Sequence, residues 1–436
     1  MINAAIESSL SSFFSIFGIS NIYFLLQKKD LLVHEIKKEL IEIKENFSDE
    51  RRTIIGTETA DIEEEDLVES EDMVITVTHR GYIKRVPLKT YRAQRRGGKG
   101  RKAMAMREED FVNQVFIGNT KSSVLFFSSK GKVYQKKVFK LPEFAPNARG
   151  KPMIGIFPLT KDENITAVLP LPNDKTSWEN LNIVFSTAKG TVRRNALSDF
   201  VKIQSSGKIA MKLSDDDKLI GVHTCEEKEN DVFLSTKEGK CLRFPISNVR
   251  KFSGRNSVGV RGIRLSKDDT VISMYILKHA KFSKDERNNY LKIASSIRRK
   301  ELQRSMPFSK LSKGKKLSEE KFIEMENIEE FILSVADNGF GKRSSAYEYR
   351  VTSRGGKGIA NMAVSKKTGK VVSSFPVNEK DDVMLIAGTG KLIRSPVNKI
   401  RIAGRTTQGV TLFKVESSEK VLSAASIKDL NINSEE

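Results

Sequence analysis

Met73-Val74-Ile75-Thr76-Val77-Thr78-His79-Arg80-Gly81, followed at once by Tyr82-Ile83-Lys84-Arg85, is the stretch whose reading decides the fold. Apolar and β-branched residues alternate with polar ones up to a glycine, and a second extended run leaves it. That is the pattern of a half-buried β-hairpin. Tyr91 stands ten positions after the glycine and opens a loop rich in Gly and Arg.

The same order returns five times. Apolar runs at Val124–Phe127, Ile183–Phe185, Val232–Leu234, Phe331–Leu333 and Val383–Ile386 lead to Gly131, Gly190, Gly239, Gly339 and Gly390. Leu141, Phe200, Val249, Tyr349 and Ile400 stand where Tyr91 stands in the first unit. The turn glycines are 50, 59, 49, 100 and 51 residues apart. A period near 50 residues is that of one four-stranded propeller blade. Further strand runs lie between the hairpins, at Phe111–Ile117, Ile165–Leu171, Leu219–Thr224 and Val271–Leu277. One such blade buries little apolar surface, and stacking neighbours makes a shared core. The predicted fold is therefore all-β, a six-bladed β-pinwheel or propeller ring over residues 73–428, with a short amino-terminal helical segment. The doubled spacing marks an insertion. Residues 279–328 lack the strand–Gly–strand pattern, are rich in Lys, Glu, Ser and Arg, and read as helical or mobile.

Ahead of the repeats, residues 1–57 read as an amino-terminal helical remnant. Leu32, Ile36, Leu40, Ile43 and Phe47 give residues 28–47 a helical apolar stripe. Residues 10–26 are apolar but interrupted by Ser, Gly and Asn. A spanning helix wants about 20 strongly apolar residues. A packing or partner-contacting segment is therefore preferred to a membrane span. Residues 58–72 form an acidic linker able to compete with a polyanion for the basic body, and residues 429–436 a polar tail.

Charge is divided along the chain. Residues 1–72 hold 7 basic and 17 acidic residues, net −10, against +21 for the whole chain, so residues 73–436 carry +31. A basic body of that size points to nucleic acid. Two cysteines, Cys225 and Cys241, make no disulfide framework and fit a reducing cytoplasm. His223 precedes Cys225 by two positions, but no fourth ligand completes a zinc set. No phosphate-binding nucleotide loop and no catalytic grouping stands out, so no catalytic or metal residues are expected.

The loop of the first unit, Gln94-Arg95-Arg96-Gly97-Gly98-Lys99-Gly100, packs three cations and three glycines into seven residues. Glycine lets backbone approach a ligand, and Arg and Lys donate to phosphate. Partial echoes recur at Ser353-Arg354-Gly355-Gly356-Lys357-Gly358 and Gly404-Arg405-Thr406-Thr407-Gln408-Gly409. Arg95, Arg96 and Lys99 are the expected DNA anchor. Lys84, Arg85, Lys136, Arg193, Arg194, Arg243, Lys342, Arg343, Arg354, Lys357, Arg394 and Arg405 are the expected supporting rim cations.

These residues resemble a known family. Gln94–Gly100, with Gly81-Tyr-Ile-Lys-Arg-Val-Pro-Leu88 and Tyr91-Arg92-Ala93 beside it, is similar to the signature box of the carboxy-terminal domain of DNA gyrase A, part of a type IIA topoisomerase. Arg149-Gly150 and Gly259-Val-Arg-Gly262 fit the same pattern, and Glu39–Thr53 looks like the stretch joining the cleavage core to that domain. The resemblance spans residues 28–436. It implies a pinwheel that wraps double-stranded DNA by its phosphates. It implies partnership with a gyrase cleavage core and with the gyrase B protein, and support of ATP-dependent negative supercoiling in a cytoplasmic, nucleoid-associated holoenzyme. ATP and Mg²⁺ would be used outside this chain. The family's amino-terminal part with its catalytic tyrosine has no counterpart here, and none of the eight tyrosines matches its context. A truncated, split or fragmentary gyrase A is the expectation. A topoisomerase IV-like DNA-steering domain and a propeller-type protein-interaction scaffold are the alternatives.

Overall fold

The computed structural model describes residues 28–49, 65–90, 112–299 and 316–427, less 66, 173–177, 202, 205, 280, 388–391 and 416–418, with a few single residues inside 300–315. The chain divides into two compact units, Met1–Glu63 and Glu64–Glu436. In the first, helix α1 (Lys29–Phe47) confirms the amphipathic reading. None of its residues is buried, and its stripe residues Ile36, Leu40, Ile43 and Phe47 are exposed. Residues 10–26 lie outside the described residues.

The second unit carries six antiparallel sheets. In the first blade the hairpin strands Asp72–Thr78 and Tyr82–Pro87 pair with each other, and Val112–Asn119 pairs on the inner side. The hairpin is closed by a tight turn. The Gly81 N–H donates to the Thr78 carbonyl at 3.0 Å with φ +79°, and the Tyr82 N–H donates to the Thr78 hydroxyl. The same bond recurs at Gly131, Gly190, Gly239 and Gly339. This is a turn ending in a left-handed residue, which only glycine adopts without strain.

In the first five blades the fourth, outermost strand comes from the following repeat. Lys151–Pro152 pairs with Tyr82 and Ile83, Lys208–Ile209 with the second blade, Val260–Arg261 with the third, Ile359–Ala360 with the fourth and Val410–Thr411 with the fifth. Among the described residues the sixth blade has three strands, Asp382–Ala387, Leu392–Pro396 and Val421–Ile427. This interlock explains the second glycine of the second to sixth repeats. At Gly409, φ is +80° and a Cβ would stand 2.4 Å from the Gly341 carbonyl oxygen.

The inner strands pack neighbour on neighbour around the ring, and Val421–Ile427 meets Val112–Asn119, so the sixth blade adjoins the first. Gln114 closes the next seam by donating to the Val168 carbonyl at 3.0 Å. The cores lie between blades. Val124 and Phe126 face the first blade's Met73 and Ile75, whereas Leu125 and Phe127 face the third blade's Ile183 and Phe185. The hairpin's first strands are thus buried on both faces, not on one. Neighbouring blades cover the face that an isolated sheet leaves to water.

The described residues of the insertion carry two helices. α2 (Lys284–Arg299) begins with a reciprocal cap, the Glu286 N–H on the Ser283 hydroxyl and the Ser283 N–H on the Glu286 carboxylate. α3 (Glu319–Asn327) is capped by Ser318. Phe282, Tyr290, Ile293, Phe322, Met325 and Tyr347 form one cluster that seats both helices on the fifth blade. The acidic linker also ends differently from a solvated run. Glu65 pairs with Lys137 and Glu71 with Lys89, both at 2.9 Å.

Candidate nucleic-acid interface

Two sets of cations emerge when residues are counted from each turn glycine. The third and fourth positions lie on the second hairpin strand. Lys84, Arg193, Arg194, Arg243, Lys342 and Arg343 stand there, and all six are buried. This corrects the expectation that they form an exposed rim.

The physical reason is the interlock. The loop of the following repeat runs alongside this strand, with bridges Arg85↔Glu143, Arg194↔Lys251, Arg243↔Val351 and Arg343↔Ile402. Its carbonyls need donors. The Lys84 ammonium donates to the Ala148 carbonyl at 3.0 Å, and Lys342 to that of Gly404 at 2.7 Å. Arg193 donates to the Ser257 carbonyl, and Arg343 to Ile400. Arg243 is held on three sides, by Asp231 at 2.8 Å, the Ala346 carbonyl and the Lys278 carbonyl. Arg194 pairs with Glu227. These cations staple one blade to the next. Burial pushes the Lys84 ammonium down to about 8 and the Lys342 ammonium down to about 7.

Arg85 is half-buried, donating to the Leu141 carbonyl and pairing with Glu143. Lys136 is half-buried beside the Phe157 ring. Arg394, on the sixth blade, is exposed and pairs with Asp382.

The second set stands on the loops. Arg354 and Lys357 are exposed. The Arg354 guanidinium donates to the Asn248 and Arg261 carbonyls through Nε and Nη1, which fixes it in an exposed position. Arg405 is half-buried and donates to the Ala360 carbonyl. Arg255 holds the equivalent place, four residues before its loop glycine, and donates to the Asp199 backbone carbonyl. Gln94, Arg95, Arg96, Gly97, Gly98, Lys99 and Gly100 lie outside the described residues.

Sequence reasoning missed a further register. Arg250, Arg350 and Arg401 each follow the buried apolar residue ten positions after the turn glycine, and all three are exposed. Arg250 lies over the Phe252 ring at 4.4 Å. The signal was present: Arg92 occupies the same place in the first repeat. Both cysteines are buried, and desolvation raises both thiols, that of Cys225 to about 12. Among the described residues no helix is long and apolar enough to cross a membrane.

A ring of interlocked antiparallel blades with exposed arginines at a recurring loop position defines a β-propeller. The pattern of the family described as DNA gyrase C-terminal domain, beta-propeller, matches six segments, 72–119, 122–172, 181–226, 230–278, 330–378 and 381–428. These are the six repeats, they exceed half the chain, and the chain belongs to that family. The insertion falls between the fourth and fifth matches. Among curated relatives, the DNA gyrase A protein of Rickettsia bellii is 50% identical over 412 residues, covering 94% of this chain and 45% of the relative. That of Salmonella typhimurium is 37% identical over 393 residues, covering 90% and 39%. The chain thus spans less than half the length of these relatives. Two solved structures share the fold. The C-terminal domain of DNA topoisomerase IV has a TM-score of 0.62 at 23% identity, covering 83% of this chain and 95% of that one. The DNA gyrase A C-terminal domain has a TM-score of 0.55 at 21% identity, covering 82% and 100%.

Proposed function

We propose that this chain binds double-stranded DNA along its perimeter and wraps it, as the DNA-handling part of a gyrase A protein. The observation that carries this is the exposed loop arginine recurring at Arg250, Arg350 and Arg401 in three successive repeats. Cations repeated at a fixed place on a ring make a track that suits phosphates without reading bases. Bending duplex DNA by 40–90° over 20–30 bp costs about 1–6 kcal/mol. Wrapping bends it further, and contacts from several blades offset the cost.

The loop Gln94–Gly100 is proposed as the anchor, with Arg95, Arg96 and Lys99 on phosphates. Arg354, Lys357, Arg394 and Arg405 support it from the later blades. A cleavage core and an ATP-binding gyrase B protein are the proposed partners, in a cytoplasmic, nucleoid-associated holoenzyme that supercoils DNA negatively. ATP and Mg²⁺ act in those partners, and this chain holds and bends the duplex.

The test is a salt titration of binding to duplexes of increasing length, paired with a topoisomer shift after nick ligation. Wrapping predicts a steep fall of affinity with salt, stronger binding to longer duplexes, and a one-sided topoisomer shift. Absence of binding at low salt would refute it in favour of a protein-interaction scaffold. Binding without a topoisomer shift would favour a DNA-steering domain of the topoisomerase IV kind.

A further inference from the structure

A groove of about 2010 Å³ runs between helix α2 of the insertion and the loops of the fifth and sixth blades. One wall is a single helical stripe. Lys284, Arg287, Asn288, Leu291, Lys292 and Ser295 recur at the three- and four-residue spacing that shares a face. The facing wall carries Arg350, Lys399 and Arg401. Lys284, Lys292, Arg350, Lys399 and Arg401 are exposed, and among the described residues none forms an ion pair. Two carboxylates line the groove, Glu348 and Glu379. Both are committed, Glu348 to the Arg405 backbone N–H at 2.7 Å and Glu379 to Arg343 at 3.3 Å.

The helix is not loosely attached. Its apolar side joins the cluster with Phe322, Met325 and Tyr347. The Tyr290 hydroxyl donates to Glu329 at 2.8 Å, and Arg298 pairs with the same carboxylate. The fold therefore holds two cationic walls face to face at an electrostatic cost. A polyanion between them relieves that cost. From Lys284 to Ser295 the stripe extends about 16 Å at 1.5 Å per residue. That matches the axial rise of roughly five phosphates on one strand. A small anion would leave most of that length unneutralised.

We propose that the insertion, which falls outside the family's six matched repeats, is a second DNA-contacting arm. It closes over the duplex where it passes the fifth and sixth blades, so the wrapped polymer is gripped from two sides there and from one side elsewhere. This rests on the duplex-binding reading above and adds an element to it.

The experiment uses the full chain carrying Lys284→Glu and Lys292→Glu, both on the exposed stripe, with circular dichroism to check folding. Duplex affinity is measured against salt for the parent and the variant. The parent's log–log slope is expected to shrink by about 2 in the variant, at about 0.9 for each phosphate no longer neutralised. In parallel, Lys292→Cys is labelled with a photoactivatable cross-linker. The chain's two native cysteines are buried, so the new thiol is selective. A DNA adduct at that position supports the arm even if the charge-reversed variant misfolds. If the parent binds duplex but the folded double variant keeps its slope and Lys292→Cys yields no DNA adduct, the arm is refuted while the wrapping reading stands. If the label instead captures residues 58–72 of the same chain, the groove is an acidic-segment clamp and the DNA assignment is overturned. If the parent does not bind duplex at all, the wrapping reading has failed first.

Discussion

Arg243 and Arg350 line the same small cleft between the fourth and fifth blades, yet they are opposites in use. Arg243 is buried, with its donors taken by Asp231 and two carbonyls. Arg350 is exposed and donates to none of them. Arg243 comes from a hairpin strand, and Arg350 from the loop that the next repeat lays across it. The buried strand cations Lys84, Arg193, Arg243, Lys342 and Arg343 satisfy the chain's own carbonyls, whereas the loop arginines Arg250, Arg350 and Arg401 are exposed. A basic count of residues therefore overstates the charge such a ring can offer to DNA.

The largest effect expected on either side of that division is Arg243→Ala. Asp231 would keep His279 but lose its buried guanidinium, and removal of one partner of a buried pair costs about 3–5 kcal/mol. Chemical unfolding should read that loss, while the salt slope of DNA binding by the folded fraction stays at the parent's value. A changed slope in folded protein would erase the distinction between the two sets.

A smaller effect follows from Lys342. Its folded-state pKa is depressed from 10.5 to about 7, so between those values the unfolded chain binds more protons than the folded one. Stability should therefore rise with pH across that window, by at most about 1.4 kcal/mol per pH unit from this group. The burial penalty should be fully present below about pH 7. Lys342→Met should flatten this part of the stability–pH curve. An unchanged curve would mean that Lys342 reaches water in solution.

The smallest effect on stability belongs to Arg250→Ala, Arg350→Ala and Arg401→Ala combined, within about 0.5 kcal/mol at each site. The same triple variant should reduce the salt slope of duplex binding by about 2.7, at 0.9 per phosphate. A triple variant that unfolds early and binds DNA with the parent's slope would reverse the roles assigned to strand and loop.

Much of the fold was legible because it is written locally. The turn glycine, the β-branched run before it and the apolar residue ten positions later are short-range requirements, and the period followed from them. Val271–Lys278 and Leu219–Cys225 differ from the expected strands by one residue each. The insertion was visible as a break in the period, but its Ser283–Glu286 helix cap was found only in the structure. What the sequence concealed was long-range. Lys84 and Lys342 look like surface cations until Ala148 and Gly404 are placed against them by the next repeat. The exposed register at Arg250, Arg350 and Arg401 was readable from spacing. Its importance emerged only once the strand positions proved occupied.

The borrowed outer strand also governs how the ring carries load. Each loop that supplies such a strand continues within two residues of its second glycine into a strand on the preceding blade, as at Gly358 and Ile359–Ala360. Tension on that loop pulls along the strand direction, so the hydrogen bonds joining the two blades are sheared together instead of peeled singly. Each of the first five blades is clasped by its successor, and force applied at one of these loops is shared with the blade before it.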